Sequence, residues 1–473
     1  MSTRDQPGGP RPTSRPDGTR PSVRELLARL ADDLRDLPGG TESVPADPLG
    51  WDGYLEQRRS AQELSGSDES VLCVEGTVGG HRTVLVAFDF RYLGGSISGR
   101  AGERVVRAFE HARQARLPVV SLVASGGSRM QEGMVALRQM QRIAAACQRN
   151  REAGVPHVCV ARHPTTGGAW ASLAAGADVV LALAGATVCF AGHRVRAAMG
   201  GPATDTVVFT GEGKLAHGQV DQVVTERELA PTLTRLLSLL APAAAAAPTA
   251  GVVPPAPVPR ALGRLDLPED GWSAVCRARD PRRPRAEAYL EDYFEQRFPL
   301  SGDRVGGTDP GMCCGLGRRA GRTIAYAAQT GVATRPAGYR AAARLVRLAD
   351  RLGLPVLTLV DTPGAAHDEA AERAGLGAAI SELFAAVAAA RVPVTTLVIG
   401  EGGSGGALAL ASPDRTWITP DAYFSVIAPE AGAAILKRGP DQVVDTAEQL
   451  RLRPQDLVEL GVVQGIAGAE PVE

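Results

Sequence analysis

The 473-residue chain contains only seven cysteines, and Cys313 and Cys314 form the only close pair. No Cys-x-x-Cys pair occurs anywhere in the sequence. Zinc ribbons and dense disulfide frameworks both depend on such closely spaced cysteines. The sequence therefore predicts no bound metal and no disulfide framework, and it favours a reducing, cytoplasmic environment.

An excess of charge is also absent, because 51 basic residues balance 52 acidic ones to a net charge of −1. This balance argues against a nucleic-acid binder or a protein of anionic membrane surfaces. The polar first 24 residues lack the apolar segment of a signal peptide. The longest uncharged apolar run, 240–258, is rich in proline, which favours a linker over a membrane span. No HExxH, Walker-loop or EF-hand pattern is present.

An internal duplication is the most informative feature that the sequence does contain. LPVVSLVASGG begins at residue 117 and LPVLTLVDTPG at residue 354, a spacing of 237. VPHVCVARHP and VPVTTLVIGE, at residues 155 and 392, repeat that spacing. A third pair begins at Gly167 and Gly405, a spacing of 238, which indicates one inserted residue. Three blocks in the same order predict two copies of one structural unit.

Strand-like and helix-like segments alternate within each copy, which is typical of βαβ crossovers and a largely parallel sheet. Residues 1–70 are predicted to form a partly disordered tail with one short helix over 23–37. The first unit then spans 71–239. An Ala- and Pro-rich linker covers 240–274, and the second unit occupies 275–473.

Glycines follow two buried strands in each copy, at the points where helices begin. Glycine permits positive φ and close backbone approach, and N–H groups at a helix start point outward with the positive end of the dipole behind them. Two such N–H groups can stabilise an oxygen that gains negative charge. The alternative is that these glycines only permit tight packing of helix on sheet.

Three other features could indicate a different function or a further ligand contact. Residues 402–406 match GxSxG, but no histidine follows Ser404, as a serine hydrolase of that type requires. Residues 400–405 match GxGxxG, but they lie deep inside a unit instead of opening a dinucleotide domain. Arg129 is a candidate to meet a phosphate or carboxylate, or else to form a surface ion pair with Glu132.

ASGGSRMQEG and HPTTGGAWASLAAGAD in the first copy resemble the β subunit of bacterial acetyl-CoA carboxylase carboxyltransferase. LPVLTLVDTPGA and VIGEGGSGGALALASPDRTWITPDAYFSVIAPEAGAAILKR in the second copy resemble its α subunit. The resemblance covers about residues 70–240 and 275–470. It implies a fusion of the two subunits, with an α/β architecture of two tandem crotonase-like (ββα-spiral) domains.

The resemblance implies a reaction in which carboxybiotin on a carrier protein releases CO2, and the biotin enolate takes the α-proton of acetyl-CoA. The acetyl-CoA enolate then attacks CO2 to give malonyl-CoA. Carried over to this sequence, the residues expected to bind the thioester oxygen are Gly126, Gly127, Gly167 and Gly168. Those expected to bind the ureido oxygen of biotin are Gly405, Gly406 and Ala407. Further substrate-binding residues are Arg129, Gly364 and Gly403.

The same resemblance implies biotin carboxylase, biotin carboxyl carrier protein and acyl-CoA as partners. It also implies that the malonyl-CoA product supplies fatty-acid or polyketide synthesis. It implies a homodimer or higher oligomer, because sites of this family lie between an α-type and a β-type half. This sequence departs from the family in its first 70 residues, which contain no cysteine and so no zinc ribbon. A decarboxylase of malonyl thioesters and a non-catalytic CoA-binding relative remain as alternatives. The sequence does not determine which acyl group is accepted.

Overall fold

A computed structural model describes residues 21–39, 45–198, 206–245 and 253–470 of the chain. The strands of the first unit are β1 (Asp32–Asp36), β2 (Val71–Val78), β3 (His81–Phe88), β4 (Val119–Ser125), β5 (His157–Thr166), β6 (Val179–Leu183), β7 (Val188–Cys189) and β8 (Gln222–Val224). Its helices are α1 (Val23–Leu30), α2 (Tyr54–Ser65), α3 (Gly99–Ala115), α4 (Gly133–Glu152), α5 (Gly167–Ala169), α6 (His193–Ala198), α7 (Gly211–Ala216) and α8 (Glu226–Ala245).

The second unit repeats this arrangement. Its strands are β9 (Gln296–Leu300), β10 (Met312–Arg319), β11 (Arg322–Gln329), β12 (Val356–Thr362), β13 (Val394–Gly403), β14 (Thr416–Ile418), β15 (Tyr423–Ser425) and β16 (Gly465–Ile466). Its helices are α9 (Gly271–Arg279), α10 (Ala286–Tyr293), α11 (Pro336–Leu352), α12 (Glu369–Arg373), α13 (Leu376–Ala389), α14 (Ser404–Leu408), α15 (Pro429–Ile435), α16 (Val443–Gln449) and α17 (Pro454–Glu459).

The two sheets have the same topology, strand for strand. The first runs β1-β2-β3-β4-β5-β6-β8 with β7 beside β5, and the second runs β9-β10-β11-β12-β13-β14-β16 with β15 beside β13. In both sheets the first three strands are antiparallel and the later ones parallel. The predicted buried strands VVSLVA and VLTLVD are β4 and β12, and all their side chains are buried. The internal duplication and the α/β architecture are thereby confirmed.

The N-terminal region differs from the prediction of a single helix over 23–37. A capping box between Ser22 and Glu25 starts α1, but the helix ends at Leu30. Asp32–Asp36 instead forms β1, which pairs with β2 and has the place in its sheet that β9 has in the other. The strand is largely exposed, so no alternation of apolar residues marks it. Pairing with the edge of β2 makes this segment a strand. The first unit therefore begins before residue 71.

The predicted linker over 240–274 also needs correction. Helix α8 continues to residue 245, and its buried Leu233 and Leu237 share one apolar core with Phe298 of the second sheet. Beyond the segment that the structure does not describe, Ala256 is fully buried. Its carbonyl accepts a hydrogen bond from the Thr395 hydroxyl at 2.9 Å. Both flanks of the expected linker are therefore packed parts of the two units.

Candidate active site

Two glycine turns meet at the carboxyl ends of β4 and β5, which are parallel neighbours. Gly127 has φ of +109° and Gly167 has φ of +61°, a region in which glycine avoids the strain that other residues incur. A Cβ atom built on Gly127 would lie 3.5 Å from the Gly168 nitrogen. The two turns therefore lie side by side, as the sequence predicted.

The N–H groups of two predicted glycines already have carbonyl partners. Gly126 donates to the Gly94 carbonyl at 2.9 Å, and Gly167 donates to the Phe190 carbonyl at 2.8 Å. These bonds fix the shape of the turns. The expectation that Gly126 and Gly167 themselves donate to a substrate oxygen is therefore corrected, because each amide has its single hydrogen engaged.

The neighbouring amides, at Gly127 and Gly168, are the better donors. Gly127 N–H donates only to the Ser125 hydroxyl of its own turn, at 3.1 Å. Gly168 is the second residue of α5, a position at which an N–H has no carbonyl partner within its helix. These two adjacent amides are therefore the candidate donor pair for one oxygen atom.

The second unit builds the equivalent pair at a constant spacing of 237 residues. Gly364 N–H donates to the Thr362 hydroxyl at 3.2 Å, as Gly127 does to Ser125. Ser404, with φ of +57°, has the left-handed conformation that Gly167 has in the first unit. The one-residue insertion inferred at the third sequence block is therefore wrong at this turn. The counterpart of Gly168 is Gly405, which makes Gly364 and Gly405 the second candidate pair.

Gly405 faces open space, since no described atom lies within 4 Å of a Cβ built on it. Gly406, in contrast, is buried, and its Cβ would lie 2.5 Å from the Ala365 nitrogen. Gly403 is likewise pressed against the Pro363 carbonyl, and Ala407 is fully buried. Gly403 and Ala407 thus pack the turn, whereas the space beside Gly405 is open.

Buried polar side chains hold the second turn in place. Gln329 Nε2 donates to the Gly406 carbonyl oxygen at 3.0 Å, and Tyr339 Oη donates to the same oxygen at 3.2 Å. Beneath the turn, the buried Asp361 accepts from Arg283 at 2.5 Å. Sequence motifs mark none of these supporting residues, because their partners are far away along the chain.

Arg129 supports the first turn and does not reach the substrate. Its side chain has no exposed surface, and Nη2 donates to Glu69 at 2.6 Å while Nη1 donates to Tyr54 at 3.1 Å. Although burial opposes it, the Arg129 charge and hydrogen bonds keep the pKa of Glu69 below its ordinary value. The predicted substrate contact is therefore corrected. Nor is the pairing with Glu132 a surface one, since both side chains are buried at a separation of 3.9 Å.

Large apolar side chains are exposed in both units. In the first unit they include Met130, which closely follows the Gly126-Gly127 turn and is 77% exposed. In the second they include Val426 and Ile435, which are 73% and 70% exposed. Surfaces of this kind mark interaction sites. Among the described residues, no helix is long and apolar enough to cross a bilayer, and no group of three or more His, Cys, Asp or Glu side chains is arranged to hold a metal.

The fold is shared with solved carboxylase and transcarboxylase structures. The structure matches transcarboxylase 12S, solved as a hexamer with hydrolysed methylmalonyl-CoA bound, over 96% of this chain and 87% of that one, with a TM-score of 0.77 and 19% identity. A single-chain, multi-domain long-chain acyl-CoA carboxylase matches over 94% of this chain and 46% of that one, with a TM-score of 0.71 and 20% identity. The prediction of two tandem crotonase-like domains is confirmed.

Sequence comparison identifies the family. Residues 52–259 match the carboxyl transferase domain, and residues 269–473 match the acetyl co-enzyme A carboxylase carboxyltransferase-like family. The acetyl-coenzyme A carboxylase carboxyl transferase subunits beta/alpha of Salinispora arenicola is 41% identical over 93% of this chain and 81% of that protein. A probable biotin-dependent acyl-coenzyme A carboxylase beta3 subunit of Mycobacterium bovis is 35% identical over 92% and 89%. The chain belongs to the fused β/α family of acetyl-CoA carboxylase carboxyltransferases, which act on CoA thioesters with biotin from a carrier.

Proposed function

We propose that the protein transfers the carboxyl group of carboxybiotin to acetyl-CoA and so produces malonyl-CoA. The observation that carries this proposal is the pair of equivalent amide donor sites, Gly127 with Gly168 and Gly364 with Gly405. In this transfer the N–C bond of carboxybiotin breaks and a C–C bond forms at the α-carbon of acetyl-CoA, so negative charge develops first on the ureido oxygen and then on the thioester oxygen. Preorganised N–H donors at each place lower the energy of that charge.

The first donor pair is proposed to bind the thioester oxygen of acetyl-CoA. Gly168 N–H is free by its position in α5. Gly127 N–H exchanges its bond to the Ser125 hydroxyl, at 3.1 Å, for one to the substrate oxygen. As the α-proton leaves, this oxygen gains negative charge, and the two amides stabilise it without any side-chain cation.

The second donor pair is proposed to hold the ureido oxygen of carboxybiotin. The residues fit that group, because Gly405 leaves open the space that a Cβ would fill. Gln329 and Tyr339 fix the neighbouring carbonyl of Gly406, which keeps the amides of the turn aligned. Carboxybiotin, when bound, supplies the activated carboxyl group and a basic site for the α-proton.

We further propose that the protein works in the cytoplasm as a homodimer or higher oligomer, with biotin carboxylase and a biotin carboxyl carrier protein as partners. The two donor pairs lie in different units, and a second copy would bring the first unit of one chain opposite the second unit of another. The exposed Met130 and Val426, which lie close in sequence or strand pairing to the two turns, are the kind of surface that such a contact would cover. The related transcarboxylase 12S is described as a hexamer.

The test is a coupled carboxylation assay with a biotin carboxylase, a biotinylated carrier protein, ATP and bicarbonate. Malonyl-CoA is expected from acetyl-CoA, and propionyl-CoA is run in parallel because relatives are named for other acyl-CoAs. Release of CO2 from malonyl-CoA in the absence of biotin, with no carboxylation in the coupled assay, would overturn the proposal in favour of a decarboxylase.

A further inference from the structure

Met140 on α4 lies directly against the amide turn of the first unit. A Cβ built on Gly168 would meet the Met140 thioether, at 2.5 Å from Sδ and 2.9 Å from Cγ. The Ser172 hydroxyl lies 2.7 Å from the Gly168 carbonyl oxygen and 3.4 Å from Met140 Sδ. Met140 therefore occupies the space above Gly168, and Ser172 contacts both residues.

This position is within reach of the acyl group of a bound thioester. An oxygen that accepts from Gly168 N–H lies about 2.9 Å from that nitrogen. The α-carbon of the acyl group is two bonds beyond that oxygen, at most about 5 Å from the nitrogen by ordinary bond lengths. The thioether is packed on the α-carbon of the same residue, so the acyl chain and the Met140 side chain compete for neighbouring space.

We propose that Met140 sets the length of the acyl group that the first unit accepts. The inference rests on the proposed function, because it takes Gly168 as a donor to the thioester oxygen. A methionine side chain is flexible and fills irregular gaps, which suits a pocket that admits a short acyl group. Longer chains must displace it or bind without the bond to Gly168.

The experiment compares Met140→Ala with Met134→Ala. Both residues lie on α4, but Met134 is 71% exposed, and it is Met140 that lies against the built Cβ of Gly168. The kcat/KM for butyryl-CoA relative to acetyl-CoA is measured in the coupled assay, and the two affinities are measured by calorimetry. One methylene changes discrimination by about 10- to 200-fold. The ratio is expected to rise by at least about 10-fold in Met140→Ala and to stay unchanged in Met134→Ala.

The calorimetric ratio separates this inference from the proposed function, because it needs no carboxyl transfer. If the wild type binds acyl-CoA but carboxylates no acyl-CoA, the proposed function fails. The ratio of butyryl-CoA to acetyl-CoA affinity still tests the role of Met140. An unchanged ratio in Met140→Ala, or an equal change in both variants, would overturn the inference. Should Met140→Ala not fold, Met140→Val shortens the same side chain and is expected to raise the ratio less.

Discussion

The substitution Gly405→Ala should lower the activity of the protein without lowering its stability. Gly405 is the second residue of α14, its φ is not positive, and no described atom lies within 4 Å of the new Cβ. Alanine therefore fits the fold and is a better helix former than glycine by about 0.5–1 kcal/mol. The variant Gly405→Ala should unfold at an equal or higher temperature than the wild type.

Its activity should nevertheless fall. Alanine keeps the N–H group, but under the proposed function its methyl group would displace the ligand oxygen from the amides of Gly405 and Gly364. Loss of one oxyanion donor costs roughly 100- to 1,000-fold in kcat, about 2.7–4 kcal/mol of transition-state stabilisation. We expect a loss of at least about 100-fold in carboxylation of acetyl-CoA.

The chain offers a matched control in Gly377. It too is the second residue of a helix, α13, and has no described atom within 4 Å of a built Cβ. Gly377→Ala should show the same small gain in stability with full activity. Thermal unfolding and the coupled carboxylation assay are run on both variants. Full activity in Gly405→Ala would refute the assignment of this amide to the ligand.

Three further predictions concern stability. Burial lowers the pKa of the His157 imidazole to about 4; since the unfolded imidazole still binds a proton near pH 6.5, unfolding free energy should fall by about 3 kcal/mol between pH 6.5 and 4. Urea unfolding over that range checks this, and His157→Gln should lose about 3 kcal/mol less than the wild type, the remainder coming from carboxylates with lowered pKa such as Glu69. Arg129→Met removes the nearer cation from the buried Glu69 carboxylate and leaves only Arg58, at 3.9 Å, which should cost about 3–5 kcal/mol without weakening CoA binding by the folded protein; a specific loss of CoA affinity would restore Arg129 as a ligand contact. Ser404→Gly should add about 1 kcal/mol of stability, because glycine adopts φ of +57° without strain; a lower unfolding temperature would contradict this.

The sequence predicted the repeated architecture well, because buried parallel strands leave apolar runs that recur at a fixed spacing. It failed at β1, where Asp32–Asp36 has no apolar pattern of its own. That segment is a strand because β2 offers it an unpaired edge. The predicted helix was too long because the apolar periodicity of α1 was extended beyond Leu30.

At the site, the positions of the glycine turns were predictable but the direction of each amide was not. Gly126 and Gly127 are adjacent in sequence, yet only Gly126 is bonded to a backbone carbonyl, that of Gly94. The register of the second turn was missed because Ser404, a residue that rarely has positive φ, replaces a glycine there. Arg129 was misjudged because its partner Glu69 lies 60 residues away in the chain.

Helix α8 is covalently part of the first unit, but its leucines complete an apolar core shared with the second sheet. A protease cut between residues 245 and 253 would therefore not release two independent halves. The fragments would remain associated as one particle in solution, and each expressed alone would expose a leucine-rich face to aggregation. Because they share this core, the two halves of the chain are expected to fold and unfold together.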